Sequence, residues 1–256
     1  MVAKLRAVAT GTVVFDARRA AKQIARKLGL YEHIVVARER RNPALGRNDR
    51  DNRHLAAMLA AILRPDSSAI DIGANVGDVL GTIVRLAPHG HHIAFEPIPA
   101  LAERLARAYP SVDVHASAAS DHGGTATFQW IEALPATSGL RLRADNTREP
   151  TAIEVPLERL DDVVEVAPAF LKIDVEGGEE AVLRGAQETL ERHRPVVAFE
   201  HGTPAAAAFG TTPDVIYELL AAPGLRVFDM DGEGPLSRDE FVEVVRLGDQ
   251  FNFIAC

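Results

Sequence analysis

The sequence predicts an α/β fold: one seven-stranded, mostly parallel sheet with a single antiparallel strand, covered by helices on both faces. Three observations predict it. From about Leu55 onward, short apolar runs alternate with helical stretches, the pattern of a sheet clothed by its own crossover helices. The first apolar run ends in an acid and a glycine-bearing turn, Asp71-Ile72-Gly73-Ala74-Asn75-Val76-Gly77, and open α/β sheets bind ligands at such strand-to-helix turns. The last two apolar runs follow each other with no helix evident between them. The closing strand is therefore expected to be antiparallel, since parallel neighbours need a crossover.

Taken in order, residues 16–28 read as a basic amphipathic helix. Asp16 caps it, Ala17, Ala20, Ala21, Ile24 and Leu28 form one face, and Gly29 ends it. Arg18, Arg19, Lys22, Arg26 and Lys27 fill the other face. Docking on an acidic body or on a second subunit suits it better than lying on a membrane. The stretch Arg38 to Arg53 is polar, holds Pro43 and Gly46, and reads as a linker, so residues 1–50 are set apart from a domain at 51–256. In that domain a helix at 52–63 precedes a buried strand at 69–72, and a helix at 76–87 is stopped by Pro88 and Gly90. A strand at 92–95, a helix at 99–108 and a strand at 112–116 follow. Residues 124–131 and 151–157 alternate as β segments around a polar loop, 133–150. Strand 169–174, helix 178–192, strand 195–200, helix 212–221 and strands at 225–229 and 250–255 complete the series. The loop containing Ala136-Thr137-Ser138-Gly139-Leu140 is long for a hairpin connection and is either a lid hinged at Gly139 or a disordered excursion.

Composition narrows the function. Cys256 is the sole cysteine, which excludes a disulfide framework and a cysteine metal site and makes a reducing cytoplasm the natural compartment. No run approaches the roughly 20 apolar residues that a membrane span needs. Lys4 and Arg6 precede a short apolar stretch, but Asp16-Ala17-Arg18-Arg19 follows where a secretory signal would carry a small-residue cleavage site. The net charge of -8 is uneven: residues 1–41 hold ten Lys/Arg against three acids, which leaves the remainder strongly acidic. An acidic body makes nucleic acid a poor partner, because phosphate contacts need clustered Lys and Arg. A small molecule is the expected partner.

Three acidic strand tips mark the site. Asp71 precedes Gly73 by two residues, and a carboxylate there suits a ligand's cationic amino group while repelling a pyrophosphate. Gly73 and Gly77 let backbone approach the ligand, with Ala74 and Asn75 between them. Glu96, in Phe95-Glu96-Pro97, is placed to accept hydrogen bonds from ribose hydroxyls. Asp121, in Ala118-Ala119-Ser120-Asp121, could accept from an adenine amino group. Further on, Lys172 and Asp174 lie two apart on one side of an otherwise apolar strand, where charge needs a partner or a function. Glu176, Glu179 and Glu180 crowd a helix N-terminus, where acids are favoured in any case; for Glu179 and Glu180 that suffices, whereas Glu176 is open. Glu200 and His201 stand at the next tip.

These motifs, with Leu160-Asp161-Asp162 and above all Leu171-Lys172-Ile173-Asp174-Val175-Glu176-Gly177-x-Glu179, resemble the FkbM-type methyltransferases over roughly residues 50–256. The resemblance implies a Rossmann-like class I methyltransferase fold, S-adenosylmethionine as cofactor, and O-methylation of a sugar, polyketide or other secondary metabolite. Asp71, Gly73, Ala74, Asn75, Gly77, Glu96, Ser120 and Asp121 are then the cofactor residues. A hydroxyl acceptor must lose a proton, so His201 is a plausible general base, with Asp174 or Glu200 orienting it or accepting the proton directly. The same three residues could instead hold Mg²⁺ or Mn²⁺, but no spacing is diagnostic and the metal-free arrangement is preferred. A nicotinamide-dependent oxidoreductase or epimerase would use a similar sheet but would want G-x-G-x-x-G. A non-catalytic methyltransferase-like binding domain is the other alternative.

Overall fold

The computed structural model describes residues 43–143, 146–248 and 250–256. The helix expected at 16–28, and with it any subunit contact through the N-terminal segment, lies outside those residues. The chain runs α1 (Pro43–Ile62), β1 (Ser68–Ile72), α2 (Asp78–Leu86), β2 (His92–Phe95), α3 (Pro99–Ala108) and β3 (Val112–His115). Next come β4 (Ala118–Ser120), β5 (Gly124–Trp130), β6 (Thr151–Arg159), β7 (Pro168–Ile173), α4 (Glu179–Arg184) and α5 (Gln187–His193). Then follow β8 (Val196–Glu200), α6 (Thr203–Phe209), α7 (Pro213–Ala221), β9 (Val227–Asp229), α8 (Arg238–Leu247) and β10 (Asn252–Ala255). The main sheet has the order β3-β2-β1-β7-β8-β10-β9, with β10 antiparallel to both neighbours. A small second sheet, β4-β6-β5, stands beside it, with β5 and β6 forming the expected antiparallel pair.

The antiparallel strand is present, but the argument that predicted it needs correcting. A helix, α8, does lie between β9 and β10, started by a capping box in which Ser237 Oγ accepts from the Glu240 N–H while the Glu240 carboxylate accepts from the Ser237 N–H. The Ser-x-x-Glu spacing was visible in the sequence. A helix alone therefore does not make a crossover; here β10 turns back and inserts between β8 and β9.

Two other elements differ from expectation. The stretch 43–53 is helical rather than a linker, because its charges are paired: Arg47 meets Asp51 at 2.9 Å and Asp231 at 3.1 Å. Asn252 Nδ2 donates to Asp51 at 3.0 Å, which ties α1 to β10. The helix expected over 178–192 is broken into α4 and α5 at Gly185. A Cβ there would meet the Ser120 carbonyl at 2.0 Å, so the chain passes β4 at backbone contact. Asp161 restarts the helix by accepting from the Glu188 and Thr189 N–H groups.

Strand alternation divides the core. Ile70, Ile72, Leu171, Ile173, Val197 and Phe199 face a cluster built with α4, α5, α7 and α8. The intervening positions Ala69, Phe170 and Ala198 face Leu55 and Leu59 of α1 and Ile83 of α2. That second face turns polar only at the carboxyl ends of the strands, with Asp71, Lys172 and Glu200 in the places where the apolar series would continue.

Candidate active site

A cavity of about 950 Å³ opens beyond the carboxyl ends of β1, β2, β7 and β8, where an open α/β sheet holds its ligand. One end is shaped by the turn after β1. The Gly73 and Ala74 N–H groups both donate to the Phe95 carbonyl at 3.0 Å, which folds the turn back over β2. Asn75, at φ 49, donates its N–H to Glu96 Oε2 at 2.7 Å, and Ile98 donates to Glu96 Oε1 at 2.9 Å. Glu96 is buried and lines the cavity. Burial pushes its pKa up to about 7, the two N–H donors pulling against it.

The sequence-expected cofactor residues divide into two groups. Gly73, Asn75 and Glu96 line the cavity. Asp71, Ala74 and Gly77 stand behind the wall. Asp71 is almost fully buried, 4.0 Å from Lys172 Nζ, so its carboxylate meets a lysine rather than the cavity. Burial raises its pKa and Lys172 opposes the rise. Ser120 and Asp121 are outside as well. The chain leaves the main sheet after β3 and enters β4 of the small sheet, which turns Asp121 outward onto His122 Nδ1 at 2.6 Å. Ser117, fully buried, occupies the cavity wall at that point, and its hydroxyl makes no hydrogen bond to the described residues. No spacing in the sequence distinguishes Ser117 from Ser120; only the switch of sheets does.

The other end of the cavity is acidic. Asp174, Glu176, Glu179 and Glu200 all line it. Glu200 is held up by burial and then by the charges of Asp174 and Glu176, with Lys172 acting against them. Burial, followed by Asp174, pushes Glu176 up to about 7, while Arg143 at 3.6 Å opposes the shift. Glu179 is more than a helix-terminal acid: it is buried, accepts from the Gly177 N–H at 2.8 Å, and meets His201 Nδ1 at 3.3 Å.

His201 does not reach the cavity. It is 1% exposed, stacked near Phe241 at 6.4 Å, and joined to Glu179. The imidazole expected as a base instead supports the acidic wall from behind. The described part of the loop after β5 lies against the cavity. Gly139 bridges to Gln129, and Ser138 Oγ accepts from the Ile131 N–H at 2.9 Å. Leu134 to Ser138 and Leu140 form an apolar-rich side wall. Among the described residues, no three His, Cys, Asp or Glu side chains are grouped to hold a metal ion, and no helix is long and apolar enough to cross a membrane.

Residues 71–227 match the Methyltransferase FkbM domain. A curated relative, the AMB antimetabolite synthetase AmbE of Pseudomonas aeruginosa, is 27% identical over 208 residues, covering 65% of this chain and 10% of its own length. The chain thus spans about one tenth of that relative. Among solved structures, methyltransferase FkbM of Methylobacillus flagellatus is similar with a TM-score of 0.47 at 17% identity, over 75% of this chain and 44% of that one. An O-methyltransferase of Bacillus cereus in complex with SAH gives 0.43 at 13% identity, over 78% of this chain and 77% of that one. With more than half of its length matched by the domain, from the acid of the β1 turn to β9, the chain belongs to the FkbM methyltransferase family.

Proposed function

We propose that the chain transfers a methyl group to a hydroxyl of a small molecule, such as a sugar or another secondary metabolite. The observation that carries this reading is a single cavity with a hydrogen-bonded carboxylate, Glu96, at one end and an acidic group, Asp174, Glu176 and Glu200, at the other. The residues fit the cofactor. Glu96 is a buried acceptor held in place by two N–H groups, Asn75 Oδ1 and Ser117 Oγ make no hydrogen bond to the described residues, and the volume suits a ligand of that size. When bound, S-adenosylmethionine supplies an electrophilic methyl group on a sulfonium sulfur. Glu96 would accept from the ribose hydroxyls and Ser117 would lie against the nucleobase. Ile98, Phe128 and Leu140 add apolar surface to the cavity lining. At the far end Glu200 takes the proton that the acceptor hydroxyl gives up, its affinity for that proton raised by burial. The curated relative's name, an antimetabolite synthetase, supports an acceptor from secondary metabolism. The acidic cavity disfavours nucleic acid.

Calorimetry with S-adenosylmethionine and NAD⁺, followed by assays of S-adenosylhomocysteine release over a panel of hydroxylated acceptors, tests the reading. Binding of the sulfonium cofactor with turnover on a hydroxyl supports it. Binding with no turnover on any member of the panel favours a non-catalytic domain, and preference for NAD⁺ overturns it.

The same titration has an expected pH dependence. Hydroxyl groups of the cofactor favour an ionised carboxylate, whereas Glu96 at the cofactor end holds its proton up to about pH 7. Binding should therefore release protons, with affinity rising from pH 6 to pH 8, by at most about tenfold per pH unit below that pKa. Affinity that falls over this range would mean that the carboxyl group binds in its neutral form.

His201→Ala should cost about 1–3 kcal/mol of stability, because Glu179 loses a buried partner. Turnover by the folded variant should stay within about threefold of the parent, since general-base removal would cost roughly 100-fold or more. Urea denaturation together with initial rates separates the two effects. A hundredfold loss of turnover at unchanged stability would restore His201 as the base.

A further inference from the structure

Among the described residues, Lys172 is the lysine set into the central strands, lining a small pocket just behind the cavity wall. Across the β1–β7 pairing, Ala69 faces Phe170, Ile70 faces Leu171 and Ile72 faces Ile173, while Asp71 faces Lys172. Every other side chain of these facing pairs is apolar, and the charged pair lies toward the carboxyl ends, where the cavity opens. The Lys172 side chain is 13% exposed, and its Nζ lies 2.9 Å from Asp174 Oδ2 and 4.0 Å from Asp71 Oδ1. Burial lowers its pKa, yet the charges of Asp174, Asp71 and Glu200 outweigh burial and leave it raised. Burying an ammonium here carries a desolvation cost that its carboxylate partners must offset, so its task is sought in those partners.

That task follows from what Asp71 and Asp174 carry. Asp71 leads into Ile72 and Gly73 at the cofactor end of the cavity wall, whereas Asp174 is itself wall at the acidic end. The two strand tips touch: the Asp174 N–H donates to the Ile72 carbonyl at 3.1 Å, and a Cβ on Gly73 would meet the Asp174 carbonyl at 1.8 Å. Two carboxylates, Asp71 of β1 and Asp174 after β7, meet one ammonium, and Glu200 of β8 lines the same small pocket as Lys172 and Asp174. From α1, Asp51 approaches the same small polar pocket of about 130 Å³, already paired with Arg47. The ammonium thus links the Asp71 carboxylate of one tip to the Asp174 carboxylate of the other, across the two strand ends that shape the cavity.

We propose that Lys172 is the positioning residue of this site, a clamp between Asp71 and Asp174 that holds the cofactor turn and the acceptor-side acids in one geometry. This rests on the proposed use of the cavity and adds the means by which its two ends are coupled. Asp71 then serves the cofactor through Lys172, not by touching it.

The test is S-adenosylmethionine affinity by calorimetry on the full chain, with thermal unfolding measured alongside. Lys172→Met should weaken the cofactor by roughly tenfold or more, and Lys172→Arg, which keeps the charge, should recover most of the loss. Because Lys172→Met leaves Asp71 buried and unpaired, the double variant Lys172→Met with Asp71→Asn removes that penalty and keeps the test open if the single variant fails to fold. The clamp predicts that the double variant stays as weak as Lys172→Met. Parent-like affinity in either the single or the double variant overturns the clamp and leaves Lys172 a mere counter-charge. Absence of cofactor binding by the parent chain would instead remove the proposed function, so the two failures are distinguishable.

Discussion

Gly73→Ala is expected to abolish measurable cofactor binding, a loss of at least about a thousandfold, and to destabilise the fold. Two effects add. Gly73 has φ 79, a left-handed conformation that costs an L-residue roughly 1–2 kcal/mol. The larger effect is steric: the new Cβ would lie 1.8 Å from the Asp174 carbonyl oxygen and 2.9 Å from its carbon, both backbone atoms. The turn cannot retreat, because the Gly73 and Ala74 N–H groups are bound to Phe95 and the Asp174 N–H is bound to Ile72. Relief requires breaking these bonds and displacing the wall that carries Asn75 and Asp174. Gly210→Ala is the control. It has a similar φ of 75 but nothing within 4 Å of the new methyl group. It should cost only about 1 kcal/mol and leave affinity within twofold. Calorimetry and urea denaturation on both variants separate conformational from steric cost. If Gly73→Ala binds S-adenosylmethionine within tenfold of the parent, the β1 turn is not the cofactor wall.

Glu200→Gln is expected to lower turnover by about 10²–10⁴, the range for removal of a general base, with cofactor affinity within about threefold. The side chain keeps its shape, so the cavity is preserved and only the proton-accepting group is lost. Glu200 lies at the β8 tip among Asp174 and Glu176, whereas the cofactor-end carboxylate, Glu96, follows β2. Its pKa is raised by burial and by neighbouring charge, so the parent rate should fall on the acid side as Glu200 takes up a proton. The Gln variant should lack that limb. Steady-state rates against pH, with an acceptor found in the panel, measure both features. Retention of more than a tenth of parental turnover would move the proton to Glu176 or Asp174.

Much of this site was legible because it follows strand tips. Glycine at 73, with acids at 71, 96, 174 and 200, falls at strand ends, and a parallel sheet brings all such ends to one edge. Gly73, Asn75, Glu96, Asp174 and Glu200 accordingly share the cavity wall. The misplacements have local causes. Asp121 was expected at the adenine because it follows the third strand, but the chain changes sheets at Ser117 and rotates it outward. His201, next to Glu200, was expected at the site, but alternation along β8 sends the two side chains to opposite faces. His201 is therefore buried beside Phe241.

The spacing of apolar runs and of Gly, Pro and acids determined the α/β class, the approximate bounds of the strands and which loops carry chemistry, since these depend on neighbours within a few residues. Tertiary structure alone decided three other matters. It inserted β10 between β8 and β9 despite an intervening helix, and it buried His201 behind the wall while bringing Ser117 into it. It also brought Lys172 within reach of Asp71, 101 positions away in the chain. Each depends on pairing between distant segments, which burial of the shared core rewards and which no local pattern encodes.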